Sequence, residues 1–196
     1  LKPANAQATD RFGASVSVSL NGKVVAVGAP FEDGASIGVG GDGSDNSALF
    51  AGAGYIFRES GGMWAQEAYL KAFNTEANDE IGVSAVISGD GTMVFFGARY
   101  EAGGTTGIDG NLADNSVATA GALYSFEFVN GAWVTGHYFK PSNISVDDQF
   151  GSIISVSSDA RTLVCGMPRE DSSNSGINGT PDEIFASAGA VYIFSR

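Results

Sequence analysis

The chain alternates short apolar and polar stretches from one end to the other. Valines alternate with serines over residues 14–19, which is the period of two typical of a half-buried strand. Asn21-Gly22 follows as a favoured two-residue hairpin turn, and the stretch 23–29 is apolar on both faces, which predicts a buried strand. The 196 residues include 28 glycines, 5 prolines and no long Leu/Glu/Lys stretch. The pattern therefore predicts an all-β fold with many turns.

One unit of this pattern occurs three times along the chain. Matching stretches lie 69 residues apart, except that the final stretch of the third copy comes one residue early. We predict units at residues 1–69, 70–138 and 139–196, each built from four antiparallel strands. The third unit ends where its fourth strand, which carries Trp64 and Trp133 in the earlier units, should begin. The matching stretches are Leu1–Asn5, Leu70–Asn74 and Phe139–Asn143; Val27–Pro30, Phe96–Arg99 and Cys165–Pro168; and Gly52–Phe57, Gly121–Phe126 and Gly189–Phe194.

Four-stranded antiparallel units at a fixed period are typical of β-propeller blades. We therefore predict three tandem propeller-type blades, the last one incomplete. Propellers typically close with four to eight blades, so three units cannot close, and an open edge would be prone to association. The chain is then expected to be a partial propeller within a longer polypeptide, or a protomer that completes itself by self-assembly.

The order of motifs resembles the FG-GAP repeat, which forms the blades of the integrin α-subunit head. Phe12-Gly13 is followed by Val27–Pro30 and then by a Gly-Ala-x-Tyr-x-Phe stretch. The second copy departs from this repeat at Ile81 and Arg99. The resemblance implies a secreted or cell-surface, calcium-binding, non-catalytic module for cell adhesion, with a protein or glycan ligand on one propeller face. Two alternatives stay open: a structural subunit whose blade edges join into a ring or filament, and an accessory domain of a larger secreted enzyme.

A long loop between the second and third strands of each unit concentrates oxygen ligands. Ca²⁺ takes six to eight oxygens, so these loops predict calcium sites, with the fullest set in the second unit. FG-GAP blades often carry a calcium loop, but the family's Asp-x-Asp-x-Asp-Gly string is replaced here by Asn21-Gly22 or Asp90-Gly91. The alternative is a solvated loop held by Asx turns. The candidate ligands are Glu32, Asp33, Asp42, Asp45 and Asn46; Glu101, Asp109, Asn111, Asp114 and Asn115; and Glu170, Asp171, Asn178, Asp182 and Glu183.

Charge and motif content exclude several kinds of function. The formal net charge is −12, so binding to nucleic acid or to an anionic membrane surface is not expected. No apolar stretch approaches the roughly 20 residues that span a bilayer, so membrane insertion is not expected either. No nucleophile or phosphate-binding motif is present, and we predict that the chain is not an enzyme.

Three further residues have simple interpretations. Cys165 lies in an apolar run and is expected to be a small buried hydrophobe. Asn143 and Asn178 each begin an Asn-x-Ser/Thr glycosylation motif, although a sugar on Asn178 would compete with a metal there. The single histidine, His137, is expected to be exposed and without a functional role.

Overall fold

A computed structural model describes residues 1–195, and the all-β prediction is confirmed over this range. The strands form three antiparallel sheets of four, five and three strands, none of them closed. Residues 1–195 contain no helix that is long and apolar enough to cross a membrane. The strands are β1 (Ser15–Val18), β2 (Val24–Ala29), β3 (Ala53–Ser60), β4 (Met63–Leu70), β5 (Ile81–Ile87), β6 (Met93–Ala98), β7 (Gly107–Ile108), β8 (Ala122–Val129), β9 (Ala132–Lys140), β10 (Ile153–Val156), β11 (Thr162–Met167) and β12 (Ala190–Ser195).

The strand order follows the chain within each sheet, with one exception. The sheets run β1-β2-β3-β4, then β5-β6-β8-β9-β7, then β10-β11-β12. The prediction of four strands per unit is therefore right for the first sheet and one short for the second. The extra strand β7 pairs Gly107 with Lys140 and Ile108 with Phe139. The third sheet has three strands within the described residues, as the early end of its unit predicts.

The sheets stack face to face at very short range. The hydroxyl of Ser15 donates to the carbonyl oxygen of Gly82 on the next sheet at 2.7 Å, and Ser84 donates to Gly151 at 2.6 Å. A glycine, Gly28 or Gly97, lies directly opposite each serine in the strand register. Ile153 replaces the serine in the third unit and is 65 % exposed, so this junction is not repeated on the outer face of the third sheet.

The second unit has Ile81 where the other two units have Phe12 and Phe150, and a phenylalanine from elsewhere in the chain supplies the missing ring. Phe12 and Phe150 each contact two aromatic rings of the third strand of their own unit, whereas Ile81 has no ring to offer. In that unit Phe73 lies 5.3 Å from the ring of Tyr124 and 5.4 Å from that of Phe126. The ring thus comes from the preceding connection, which preserves the edge-on aromatic contacts of the core.

Ser15 and Ser84, which we call the junction serines, each face a glycine on the neighbouring strand. These glycines lead to a prediction about stability. A Cβ at Gly97 would collide with the carbonyl oxygen of Gly151, while one at Gly166, the same position in the third unit, would meet nothing closer than 3.5 Å. Gly97→Ala should therefore lower the free energy of unfolding by about 2 kcal/mol or more. Gly166→Ala should change it by no more than about 0.5 kcal/mol. Urea denaturation of both variants measures the difference, and equal losses would contradict the close stacking.

Candidate functional site

Each unit places one glutamate in the same buried position, just after its second strand. Glu32, Glu101 and Glu170 follow β2, β6 and β11 and are 3 %, 1 % and 3 % exposed. The backbone carbonyl of each accepts a hydrogen bond from the glycine that precedes the third strand, at 2.8–2.9 Å. The sequence predicts these side chains either as calcium ligands or as parts of a solvated loop, but the structure buries them beneath the loops.

A lysine and a tyrosine from the end of the fourth strand bind the glutamate in the first two units. Lys71 Nζ lies 2.8 Å from Glu32 Oε2 and donates a second hydrogen bond to the carbonyl oxygen of Gly52 at 2.5 Å. The hydroxyl of Tyr69 donates to Glu32 Oε1 at 2.7 Å. The second unit repeats the set with Glu101, Lys140 and Tyr138, at 2.8 Å for the lysine and 2.9 Å for the tyrosine.

An asparagine three residues beyond each lysine position reaches forward to the next glutamate. The side-chain amide of Asn5 donates to Glu32 at 3.2 Å, that of Asn74 to Glu101 at 3.1 Å, and that of Asn143 to Glu170 at 2.9 Å. We call each glutamate with its lysine, tyrosine and asparagine partners a carboxylate joint. Because Lys71 and Asn74 bind successive glutamates, one short connection fastens two sheets to each other.

The third carboxylate joint is incomplete within the described residues. The Glu170 carboxylate accepts the Asn143 hydrogen bond, and no lysine or tyrosine among residues 1–195 binds it. At the other end of the chain, Lys2 stands at the position of Lys71 and Lys140 but is exposed, with no ion pair to the described residues. Within the described residues, Glu170 therefore lacks the cation that Glu32 and Glu101 have.

Burial changes the acid–base properties of the joints. Loss of solvent lowers the pKa of Lys71 and Lys140. The paired glutamates act in the opposite direction and raise it, but the effect of burial is the larger one. Burial also raises the pKa of the Tyr69 and Tyr138 hydroxyls well above the usual range, and the adjacent carboxylates add to this. The tyrosines therefore stay neutral and donate their hydroxyl hydrogens to the carboxylates.

A second carboxyl lies near each joint. Asp79 is 5 % exposed and accepts a hydrogen bond from the backbone N–H of Glu76 at 3.0 Å. Burial, followed by repulsion from Glu101, raises its pKa to about 7. Asp148 in the third unit behaves in the same way, with a pKa raised to about 6 mainly by burial, and its Oδ1 is buried with no hydrogen-bond partner among the described residues.

Most of the other predicted calcium ligands hold the loops together by hydrogen bonds. Asp42 and Asp45 accept from the backbone two residues on, and the same is true of Asn111, Asp114 and Asp182. Asp33 and Asp171 accept from the backbone across the loop, and Asn115 donates to Glu76. Asn46, Asn178 and Glu183 are exposed. Within residues 1–195 no group of three or more His, Cys, Asp or Glu side chains is placed to hold a metal ion.

Hydrogen bonds from neighbouring serines lower the pKa of Asp42, Asp45 and Asp114, which is the behaviour expected of Asx turns. Calcium in these loops stays a prediction. So do glycosylation and an extracellular location, although the amide of Asn143 already donates to Glu170.

The histidine, predicted to be exposed and without a functional role, is about half exposed and pairs with a carboxylate. His137 Nδ1 lies 2.6 Å from Asp109 Oδ2, and both side chains are about half exposed. His137 also borders an apolar pocket of about 190 Å³ between the second and third sheets, lined mainly by Phe95, Phe139, Leu163 and Phe194. Cys165 is fully buried as expected, and burial raises the pKa of its thiol to about 12.

The lysines and tyrosines of the joints were missed at the sequence level. They were visible as Tyr-x-Lys at residues 69–71 and 138–140, inside the repeated stretches that define the unit. A lysine at one fixed position of otherwise apolar strand ends is a signal for a buried ion pair, since lysine is almost never fully buried without a partner.

Comparisons with known proteins identify no family. No protein-family model and no curated protein matches the chain. Two solved structures that it resembles are an inferred 6-phosphogluconolactonase from Bacteroides uniformis and a hypothetical selenium-binding protein from Sulfolobus tokodaii. The first has a TM-score of 0.47 at 12 % identity and covers 93 % of this chain and 43 % of that one. The second has a TM-score of 0.40 at 10 % identity, with 92 % and 42 % covered.

These findings correct the family prediction and what followed from it. The FG-GAP and integrin resemblance has no support from family models, and neither structural neighbour is an adhesion protein. The predictions of an adhesion module and of a non-enzyme are corrected with it, since the comparisons support neither. The chain spans less than half the length of both neighbours, and likenesses this weak assign it no activity.

The buried ion pair leads to a prediction about stability. Lys140→Met leaves Glu101 as an uncompensated buried charge, so the free energy of unfolding should fall by about 3–5 kcal/mol. Adding Glu101→Gln should recover part of that loss. Lys2→Met is the matched control, because Lys2 has the same repeat position but is exposed, and it should change the free energy by less than about 0.5 kcal/mol. Equal effects of the two lysine variants in urea denaturation would contradict the structural role of the joint.

The raised pKa of Asp79 leads to a prediction about pH. The folded state keeps this proton up to about pH 7, whereas the unfolded chain releases it near the ordinary value of 3.8. The free energy of unfolding should therefore fall as pH rises from about 4 to 7, by about 1.4 kcal/mol for each unit of pKa difference. Asp79→Asn should flatten this fall.

Asp90→Asn is a suitable control for that measurement, because hydrogen bonds from Ser88 and Thr92 lower the pKa of Asp90. Its contribution is lost only as pH falls below the ordinary range. Thermal unfolding between pH 4 and 8 tests both variants, and an unchanged pH profile in Asp79→Asn would show that this carboxyl titrates normally.

Proposed function

We propose that the chain is a segment of propeller-like repeats whose third sheet binds a protein strand along the free edge of β12. The sequential antiparallel strand order and the close stacking of successive sheets support the propeller-like arrangement. The observation that carries the binding function is the pairing of β12. Within residues 1–195 it pairs with β11 on one side only, whereas β3 and β8, the corresponding strands of the other sheets, are paired on both sides.

The edge of β12 has none of the features that protect sheet edges from association. Its sequence, Ala190–Ser195, contains no charged residue and no proline, and lysines, prolines and bulges are the usual means of blocking an edge. An open groove of about 950 Å³ crosses the exposed face of the third sheet, from Ile153 on β10 to Val191 on β12, and is also bordered by Glu170. The backbone groups of the edge are thus available for strand addition, in which main-chain hydrogen bonds supply the affinity.

Hydrogen exchange of the β12 amides tests this function directly. The probe is a synthetic peptide of residues 130–140, which contains the chain's own fourth strand β9 and its preceding turn. Bound peptide should slow the exchange of alternate β12 amides and leave that of β1, on the opposite side of the stack, unchanged. The same peptide with Thr135→Pro should bind much more weakly, because proline removes a ladder hydrogen bond. Unchanged β12 exchange at saturating peptide would refute the proposal.

A further inference from the structure

We infer that the strand accepted along β12 carries the pattern Trp-x4-Tyr-x-Lys, the pattern of β4 and β9, and comes from a further copy of this repeat. The inference rests on the proposed function and names the partner's chemistry. Two independent features of the third sheet lead to it, a buried glutamate and an apolar pocket.

The first feature is the incomplete carboxylate joint. Glu170 is as deeply buried as Glu32, and its backbone makes the same hydrogen bond to the glycine before the third strand. In the two complete joints, a fourth-strand lysine and tyrosine bind this carboxylate at 2.7–2.9 Å. A buried carboxylate without a cation is strongly destabilising. Glu170 therefore favours an incoming strand that ends in Tyr-x-Lys.

The second feature is the apolar pocket between the second and third sheets. Between the first and second sheets the same space belongs to a buried cluster that contains Trp133, which is 6 % exposed. The pocket is lined by the repeat equivalents of that cluster and has no tryptophan among the described residues. The correspondence is Ala26 with Phe95, Ala68 with His137, Leu70 with Phe139, Val94 with Leu163 and Phe126 with Phe194.

Larger side chains line the pocket than line the cluster, since Phe95 and His137 replace alanines, yet about 190 Å³ stays open. Trp133 shows what an indole does in this position. Its ring packs at a tilt against that of Phe128, with centroids 5.5 Å apart, and its Nε1 donates to Glu67 of the preceding sheet at 2.8 Å. The pocket thus favours an aromatic side chain at the start of the incoming strand.

The spacing of the two features matches a single strand. Trp133 and Tyr138 are five residues apart, which would place them on opposite faces of a regular strand. The register between β8 and β9 shifts between Tyr124 and Phe126, and a bulge of one residue returns both side chains to one face. The first sheet has the same shift between Ile56 and Phe57, with Trp64 and Tyr69 at the same spacing. One strand with this bulge can therefore place its tryptophan in the pocket and, at the same time, its tyrosine and lysine beside Glu170.

Peptide variants test the pattern separately from edge pairing. Binding of the residue 130–140 peptide to the chain is compared with that of its Trp133→Ala, Lys140→Met and Val134→Ala versions by fluorescence anisotropy. The first two should weaken binding about tenfold or more. Val134→Ala is the matched control, because Val134 lies on β9 but is 42 % exposed, and it should bind within about twofold of the parent peptide.

The chain variant Glu170→Gln completes a double-mutant cycle. Against this chain the Lys140→Met peptide should lose little further affinity, because the carboxylate that its lysine would meet is gone. Independent, additive losses would overturn the pairing of this lysine with Glu170.

The remaining outcomes separate the inference from the proposed function. Equal binding of all peptides would overturn the Trp-x4-Tyr-x-Lys pattern and leave strand addition at β12 intact. Binding by none of them would overturn both. A free chain that is dimeric by native mass, with β12 amides already protected, would identify a second copy of the chain as the occupant and overturn the assignment to a fourth repeat strand.

Discussion

The structure depends on a charge that each unit buries and cannot neutralise alone. Glu32 and Glu101 lie beneath their loops at a few per cent exposure, where a carboxylate without a partner would cost several kcal/mol. The neutralising lysine arrives only when the chain has completed the fourth strand, almost forty residues later. In the first two units the buried carboxylate therefore gains its cation only after the fourth strand is complete, and the ion pair joins the loop, the strand end and the connection.

The stacking of the sheets imposes a second constraint that acts together with the first. The junction serines bind backbone carbonyl oxygens of the next sheet at 2.6–2.7 Å, so no side chain fits at Gly28 or Gly97. The asparagine after each joint then reaches the next glutamate at about the same separation in all three units. A change of spacing between the sheets would break the serine contact and the asparagine contact at once, so the two contacts together fix that spacing.

Much of the fold could be predicted from the sequence, and the role of the glutamates could not. Alternating valines and serines, the Asn-Gly turn and the repeated stretches indicate strands and units, because these patterns reflect local geometry. The residues around a glutamate at the start of a polar loop do not show whether its side chain is solvated or buried. For Glu32 the sign of burial is the lysine that pairs with it, 39 positions later. In the second unit Phe73 supplies the aromatic ring that Ile81 lacks. The sequence does not reveal this replacement either, because it depends on a contact between residues that are far apart in the chain. The motif resemblance failed because it rested on turn and strand residues that many β proteins share.

The two ends of the chain differ in a way that follows from the same constraint. Lys2 is exposed to solvent, and a solvated lysine carries no desolvation cost. Glu170 is buried and no lysine among residues 1–195 binds it, and a buried carboxylate without a cation does carry a cost. The outer face of the third sheet also replaces the junction serine with Ile153, so a further sheet could not attach there by the serine contact. What the third unit lacks is therefore a cation for Glu170 beside the edge of β12. A fourth strand added to this sheet would supply that cation, whereas a further sheet stacked on its outer face would not.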